Sequence, residues 1–374
     1  MKNLESKENI FKPTDLSRLK AELFTYGIRF NKNDFEILKV QNPFNQNRSG
    51  LSAGRFIELN GKTVINIPFW EPFVQYSPYG FEEGKLFKET KPIDVNVQFV
   101  PTPMWINQQI SGGNFAGQVI QPHGKGNLAT MAFGCELQNR EERCRFCTAS
   151  SFNKRHPLSD NDLVDSLDLA LNENLDYSLS INAGTLKTLG RGVEILIPTI
   201  KKIRDRFPKI GLMLEIAPPK DTNLYYKLVE ANRLGNIGLM LNLNFWSDTA
   251  LNIVEPGKNK FITRDEYFET WIKAIEVFGK GNVSSCILCG IEAEEYTRQA
   301  IDSLTDLGVI PEIIMYRPTI GSELGQVPLD PELFLRLSNY AKYKMAENKI
   351  KPAQVGCVNC GGCSLTTTPS TSYS

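Results

Sequence analysis

The chain has 374 residues, of which 41% are hydrophobic and 22% charged, so it can hold one large barrel with extensions or two domains. Its 42 lysines and arginines equal its 42 aspartates and glutamates, and this balance argues against a general basic field for nucleic acid and against an acidic tail. The start of the chain lacks the apolar core of a signal peptide, and no apolar run approaches the length of a membrane span. We therefore expect a soluble, cytoplasmic protein with neither a nucleic-acid nor a membrane partner.

Residues 1–125 are expected to form a mixed helix-and-strand layer that precedes the main sheet. Residues 56–59 and 63–67 alternate as strands, and Asn60-Gly61 between them suits a type I′ hairpin turn. A further strand is predicted at 95–100. The stretch 68–81 is rich in aromatic residues and proline, and we interpret it as a wall packed by aromatics in preference to a substrate pocket.

Cysteines are grouped rather than scattered: six of the eight fall into two triplets. Without a secretory signal, such grouping favours metal ligation over disulfide bonds. The chain has only two histidines, His123 and His156, which argues against a histidine-based zinc hydrolase or a histidine-centred catalytic triad.

The first triplet is Cys135, Cys144 and Cys147, with eight residues between the first two and two between the last two. It follows the apolar run 128–133, so we expect it on the loop that leaves a buried strand. A Cys-x-x-Cys pair directs two sulfurs at one soft metal centre, and the third thiolate completes a three-thiolate face. Iron–sulfur clusters and zinc both accept such ligands. A [4Fe–4S] cluster held by three cysteines leaves one iron free to bind substrate or cofactor.

From residue 126 to 348, apolar strands alternate with amphipathic helices in six successive units, which predicts a parallel sheet covered by helices. The strands are predicted at 127–133, 177–181, 210–216, 237–244, 282–289 and 309–316. Helix caps are predicted at Ser159 with Asp162 and at Thr263 with Glu266. Six such units curl into a partial barrel or form an open doubly wound sheet, and periodicity does not separate these two.

Polar side chains recur on one face of these strands, close to their carboxyl ends. They are Ser178, Ser180, Asn182, Glu215, Asn242, Asn244 and Arg317. A sheet covered on both faces should not carry such a set unless something polar is bound there. Barrel active sites collect at this end of the strands, so we expect a ligand site here.

The second triplet lies beyond the last predicted helix, in the segment 349–374, which we expect to be a short cysteine clip. Its members are Cys357, Cys360 and Cys363. Their Cys-x-x-Cys-x-x-Cys spacing is the compact part of a ferredoxin-like cluster sequence, and the soft thiolate set favours a second iron–sulfur cluster over a zinc clip or a disordered redox tail. The fourth ligand is left open among substrate, a serine hydroxyl, Cys286 and Cys289, although the last two are more typical of core cysteines.

Three cysteines after a first strand, with the aromatic Phe146 just before the last, resemble the cluster loop of the radical S-adenosylmethionine (radical SAM) superfamily. The usual spacing there is three residues and then two. The resemblance covers about residues 127–320 and implies a partial (β/α)6 barrel, here with an N-terminal α+β extension and a C-terminal cysteine clip. It also implies that Cys135, Cys144 and Cys147 hold a [4Fe–4S] cluster whose open iron is chelated by S-adenosylmethionine (SAM).

The resemblance implies further cofactor-binding residues at the strand ends. They are Phe146, Asn182, Gly184, Glu215, Asn242, Asn244, Gly290 and Arg317. Asn182 and Gly184 would face the methionyl amino group, Glu215 the ribose hydroxyls and Gly290 the adenine, whereas Arg317 would pair with a carboxylate of SAM or substrate. A structural role competes for Glu215, and a surface or helix-pairing role competes for Arg317.

The activity implied is reductive cleavage of SAM to a 5′-deoxyadenosyl radical, which takes hydrogen from a small-molecule or peptide substrate. A second [4Fe–4S] cluster would assist, and flavodoxin or ferredoxin would donate electrons. Two alternatives remain: an iron–sulfur or zinc-binding scaffold without radical chemistry, and a radical SAM enzyme that modifies RNA. The neutral charge and the lack of an RNA-binding appendage count against the last.

Overall fold

The computed structural model describes residues 15–41, 54–68, 70–148, 159–233, 235–325, 327–353 and 355–367. The predictions about the start of the chain, His156 and the residues after 367 lie outside these ranges.

The N-terminal part combines short helices with two small sheets. Its helices are α1 (Leu16–Tyr26), α2 (Lys32–Gln41) and α3 (Ala116–Val119), with 3-10 turns at Pro72–Tyr76 and Met104–Asn107. Its strands are β1 (Arg29–Phe30), β2 (Arg55–Leu59), β3 (Thr63–Ile67), β4 (Tyr79–Glu82), β5 (Lys85–Lys88), β6 (Lys91–Pro92) and β7 (Val97–Phe99). One sheet has the order β1-β4-β5-β6 and the other β3-β2-β7.

The predicted hairpin is confirmed as the antiparallel pair of β2 and β3. Asn60 and Gly61 have φ values of 52° and 69°, and the N–H of Lys62 donates to the carbonyl of Leu59 over 3.0 Å. Positive φ at both central residues is what a type I′ turn requires, and Asn-Gly accepts it at low cost.

A seven-stranded sheet forms the centre of the protein and is curled into a half barrel. Its strands are β8 (Gln121–Pro122), β9 (Asn127–Met131), β10 (Ser178–Asn182), β11 (Leu212–Glu215), β12 (Ile237–Met240), β13 (Val283–Cys289) and β14 (Ile310–Met315). Strands β9 to β14 are parallel and adjacent in chain order, whereas β8 pairs antiparallel with β9. This arrangement agrees with the predicted partial barrel.

Helices follow each parallel strand within the described residues. They are α4 (Asp160–Glu173), α5 (Val193–Arg206), α6 (Leu224–Asn232), α7 (Asp248–Val254), α8 (Pro256–Phe261), α9 (Arg264–Phe278), α10 (Glu294–Leu307), α11 (Pro331–Glu347) and α12 (Gly356–Cys360). The predicted caps are present: the Ser159 side chain accepts the Asp162 N–H, and Thr263 and Glu266 form a capping box.

Strand β12 is shorter than its predicted range of 237–244. Regular pairing with β13 ends at Met240. The N–H of Cys286, which a continued strand would bond to a backbone carbonyl, donates instead to the side-chain oxygen of Asn242 (2.9 Å). Asn244 then has a φ of 70° and returns to β13 through an isolated bridge to Ile287. A side chain that replaces a backbone partner ends the regular strand here.

One continuous apolar core extends from Leu16 to Leu365 and includes residues on both sides of the predicted boundary at 125/126. Phe24 of α1 and Phe334 of α11, for example, have ring centroids 5.4 Å apart. The three-part division of the chain stays a prediction. No helix in the described part of the chain is both long and apolar enough to cross a bilayer.

The shared core predicts that the N-terminal layer and the sheet unfold together. Phe24 is fully buried, so Phe24→Ala should lower the free energy of unfolding by about 3–5 kcal/mol. Urea unfolding of the reduced protein should remain a single transition, and Tyr76→Ala, which truncates an exposed side chain, is the matched control. Two separate transitions, with only the weaker one displaced by Phe24→Ala, would contradict a common core.

Candidate metal and cofactor site

The loop that carries the first cysteine triplet is held from two sides. The N–H of Glu136 donates to the carbonyl of Thr185 (2.9 Å), and the N–H of Arg145 donates to the carbonyl of Val254 (2.8 Å). Glu323 secures the outer side, because its N–H donates to the Arg145 carbonyl (2.8 Å) and its carboxylate pairs with the Arg145 guanidinium (2.7 Å). The loop is therefore fixed at the carboxyl edge of the sheet.

Cys144 is half-buried and has both other thiols of this loop among its electrostatic neighbours. The N–H of Cys147 donates to the carbonyl of Cys144 (3.0 Å), so these two cysteines share one turn. Burial, and then the neighbouring Glu255 carboxylate, raise the pKa of Cys144 well above its usual value. Cys147 and Cys135 add smaller electrostatic contributions in the same direction, so both are neighbours of Cys144.

Gly184 is the point where the strand end meets this loop. Its N–H donates to the carbonyl of Phe133 (3.0 Å). A Cβ atom at Gly184 would lie 2.3 Å from the backbone nitrogen of Cys135 and 2.3 Å from the carbonyl carbon of Gly134. Only glycine allows this approach, so Gly184 positions Cys135 by leaving room for its backbone.

A row of polar side chains crosses the carboxyl edge of the sheet beside the thiols. Asn182 is the register partner of Glu215, and Glu215 accepts a hydrogen bond from the Asn242 side chain (2.6 Å). Burial raises the pKa of Glu215, whereas Asn242 and Lys258 act in the opposite direction. The side-chain oxygen of Asn182 is buried without a hydrogen-bond partner among the described residues. Such an oxygen is costly unless a ligand donates to it.

Asn244 continues the row through a buried carboxylate. Its side-chain amide donates to Glu255 (2.6 Å), and Glu255 also contacts the Cys144 thiol. Lys258 lies 3.5 Å from the same carboxylate and donates to the Asn242 carbonyl (2.6 Å). Burial is the largest single influence and opposes the charge on Lys258, but Glu255, Tyr267 and Cys144 together outweigh it, so the pKa of Lys258 is raised.

Sequence reasoning missed the residues that support this row: Glu255, Lys258 and Tyr267. The hydroxyl of Tyr267 donates to the Asn242 carbonyl (2.7 Å). Glu255 and Lys258 are three residues apart, a spacing typical of a helical ion pair, and this spacing could have identified them in the sequence.

Two other predicted cofactor residues contact protein groups. The ring of Phe146 packs edge-on against Phe245, with centroids 5.9 Å apart. Gly290 has a φ of 95°, and a Cβ atom there would lie 2.3 Å from a methyl carbon of Leu329. These contacts explain both residues by packing, and their predicted roles toward a cofactor stay predictions.

The C-terminal segment that carries the second triplet lies on the inner face of the sheet, which we define as the face opposite its helices. The N–H of Gly356 donates to the Ser178 hydroxyl (3.2 Å), and the Ser180 hydroxyl lies 3.7 Å from the Cys357 sulfur. Val355 fits against Gly211, where a Cβ atom would lie 2.9 Å from its methyl group. The polar face expected to meet a ligand at Ser178 and Ser180 therefore meets the end of the chain itself.

Cys360 and Cys363 are close to a buried lysine from α1. The sulfur of Cys360 would lie 2.4 Å from a Cβ atom at Gly124, so backbone surrounds it closely. The ammonium of Lys20 donates to the carbonyl of Gly361. Burial lowers the pKa of Lys20 to about 8, and the two thiols counteract this shift. Lys20 acts to lower the pKa of both thiols, but burial outweighs it and raises the pKa of Cys360 to about 11 and that of Cys363 to about 12.

Arg317 lies beside the second triplet and not beside the first. Its guanidinium donates to the backbone and side-chain oxygens of Asn66 (3.0 and 3.1 Å) and lies 3.8 Å from the Glu71 carboxylate. It also interacts electrostatically with Cys363 and stacks 5.1 Å from the Phe24 ring. Arg317 is therefore buried and not at the surface, and it contacts helix α1 through the Phe24 ring.

Glu215 lies between the two triplets. It interacts electrostatically with Cys357 on one side, and its Asn242 partner leads toward Cys144 on the other. Cys286 is buried and interacts with Glu215 as well. Glu215 is therefore linked, through its neighbours, to both cysteine triplets.

Among the described residues, no group of three or more His, Cys, Asp and Glu side chains is close enough to hold one metal ion. A tetrahedral zinc ion, with zinc–sulfur bonds of about 2.3 Å, requires sulfurs about 3.8 Å apart. A [4Fe–4S] cluster spreads its ligands over several irons and accepts more widely spaced thiolates.

No protein-family model matches the chain, and no curated protein shows significant similarity to it. Among solved structures, a similar chain is the radical S-adenosylmethionine methyltransferase TsrM from Kitasatospora setae, with tryptophan substrate and the SAM analogue aza-SAM bound. The match has 17% identity and a TM-score of 0.38, and it covers 50% of this chain and 35% of TsrM. A likeness of this degree carries no functional argument.

The approach of Gly184 to Cys135 predicts a selective loss of metal at the first triplet. Gly184→Ala should weaken metal binding at the first triplet by about 1–3 kcal/mol, because the backbone must move to admit the methyl group. Gly134→Ala is the matched control, since a Cβ atom there meets only the end of the Gln138 side chain at 3.9 Å.

Iron bound per chain after anaerobic reconstitution measures the effect. The experiment uses a background in which Cys357, Cys360 and Cys363 are alanine, so that only the first triplet is counted. Equal iron content in the two glycine variants would contradict the role assigned to Gly184.

Proposed function

We propose that this chain is a radical SAM enzyme. In this proposal Cys135, Cys144 and Cys147 hold a [4Fe–4S] cluster with SAM at its open iron, and the triplet in the C-terminal clip holds a second [4Fe–4S] cluster. The substrate is a small molecule or a peptide, the electron donor is a flavodoxin or ferredoxin, and the protein works in the cytoplasm.

One observation carries the proposal: a loop with three cysteines lies at the carboxyl edge of a parallel half barrel, beside a polar row with an unsatisfied buried oxygen. Thiolates provide soft ligands for iron, and the Asn182 oxygen provides an acceptor for a ligand that carries N–H or O–H groups. A purely structural cluster would account for the thiols but would leave this buried oxygen without a partner.

Each member of the row has a defined task in the proposal. Asn182 accepts a hydrogen bond from an N–H of the methionyl amino group, and Glu215 accepts hydrogen bonds from the ribose hydroxyls. Asn242 orients Glu215 through its 2.6 Å hydrogen bond, while Asn244 and Glu255 orient the turn at Cys144.

The remaining cofactor-binding residues act by positioning in this proposal, because their side chains contact protein groups. Phe146 steadies the end of the cysteine loop against Phe245, and Gly290 admits Leu329. Arg317 belongs to the surroundings of the second triplet through its interaction with Cys363. Substitution of these residues should therefore alter cluster content before it alters SAM affinity.

When bound and reduced, the first cluster supplies the electron that cleaves SAM, and the resulting 5′-deoxyadenosyl radical abstracts hydrogen from the substrate. The chain contributes binding, orientation and exclusion of water. Arg145 and Glu323 hold the cysteine loop in place through their hydrogen bond and ion pair, which orients the thiols.

The decisive assay is 5′-deoxyadenosine formation by anaerobically reconstituted, reduced protein supplied with SAM. Wild type should form the product, and Cys144→Ala should abolish it because one ligand of the first cluster is lost. Cys289→Ala is the matched control: this buried thiol contacts Met315 sulfur at 4.0 Å and belongs to neither triplet.

Product in wild type and in the control, with none in Cys144→Ala, is the expected pattern. Cleavage that persists in Cys144→Ala would remove the first triplet from the chemistry. Absence of product from fully loaded wild type with several reductants, and with candidate substrates added, would favour the scaffold alternative.

A further inference from the structure

Glu312 of β14 is a buried carboxylate that the proposed chemistry does not yet use. Its exposed fraction is 2%, and its Oε1 atom has no hydrogen-bond partner among the described residues. The hydroxyls of Ser364 and Thr367 interact with the carboxylate. A buried carboxylate oxygen without a donor is expensive to maintain, so its presence calls for a partner.

The surroundings of Glu312 point to the second triplet as the source of that partner. Glu312 interacts electrostatically with Cys360, Cys363 and the buried ammonium of Lys20. Ser364, which contacts Glu312, directly follows Cys363 in the chain. The carboxylate therefore meets the cysteine clip at its third cysteine.

Other residues considered for a fourth ligand are less suited. The Ser364 hydroxyl already accepts the N–H of Thr366 (3.0 Å). Cys289 lies in the continuous core against Met315. Cys286 lies in the continuous core as well, with Glu215 and Glu312 as its two strongest charged neighbours.

We propose that the Glu312 carboxylate is the fourth ligand of the cluster at Cys357, Cys360 and Cys363. This inference rests on the proposed second cluster. Ligation forms one iron–oxygen bond, requires the deprotonated carboxylate and changes no oxidation state. Iron accepts carboxylate oxygen as well as thiolate sulfur. Three irons then have a cysteine thiolate as their protein ligand, and the fourth has the Glu312 carboxylate.

The consequence concerns the role of the second cluster. With all four irons held by the protein, no iron is free to bind the substrate. Of the three roles open to such a cluster, electron relay then fits better than substrate anchoring or sulfur donation.

The test uses full-length protein in which Cys135, Cys144 and Cys147 are alanine, reconstituted with iron-57, so that only the second cluster is observed. Mössbauer spectra should show one iron with a higher isomer shift beside three thiolate-ligated irons. EPR of the reduced cluster should be unchanged by added cyanide, because no coordination position is open.

Glu312→Gln should open that position: the distinct iron should change its isomer shift, and cyanide should alter the EPR signal. Glu71→Gln is the matched control, since Glu71 is another buried carboxylate near the triplet but lies beside Arg317. It should keep the wild-type iron pattern and the insensitivity to cyanide. Glu312→Cys should restore a closed site with four similar irons, which guards against misfolding of the glutamine variant.

Two results would overturn the inference in distinguishable ways. Sensitivity to cyanide with Glu312 present, and identical spectra for Glu312→Gln, would show that the fourth position is open in the native chain. Absence of any iron–sulfur signal from the protein with alanine at Cys135, Cys144 and Cys147 would show that the second triplet holds no cluster. That result would leave the proposed radical chemistry untouched, because 5′-deoxyadenosine formation by the unmodified chain tests the first triplet separately.

Discussion

The insertion of the chain's last described segment into the half barrel is the constraint on which the site depends. The Gly356 N–H donates to Ser178 inside the sheet, and Val355 occupies space that the bare backbone of Gly211 leaves free. A buried backbone donor needs such a partner, so the contact fixes the depth of the segment as well as its position. Cys357 then faces the same interior as Glu215.

Charge compensation follows from this placement. Thiolates and carboxylates in a dry interior are tolerated only when cations or metal balance them. Lys20 from the first helix donates to the Gly361 carbonyl, and Arg317 lies beside Cys363. The N-terminal layer therefore takes part in the second site, in addition to covering one end of the sheet. The shared apolar core and this buried charge are two reasons for the layer to be inseparable from the half barrel.

Local patterns predicted much of this architecture, and contacts between distant residues account for what they missed. The six parallel strands, the hairpin at Asn60 and the helix caps depend on neighbouring residues, so periodicity and spacing were sufficient. The polar face at Ser178 was assigned to a ligand because its partner, Gly356, lies 178 residues away. The lysine that approaches Gly361 is 341 residues away, and no pattern in the sequence connects the two. The early end of β12 depends on one side chain, Asn242, which replaces a backbone acceptor.

The central claim is that SAM binds directly to the cluster held by the first triplet. The most direct measurement is electron–nuclear double resonance of the reduced protein, with alanine at Cys357, Cys360 and Cys363 and with SAM labelled with nitrogen-15 at its amino group. The account predicts a nitrogen hyperfine coupling strong enough to require an iron–nitrogen bond, and its loss when unlabelled SAM replaces the labelled form. A fully formed cluster that shows no such coupling at saturating SAM would contradict the account.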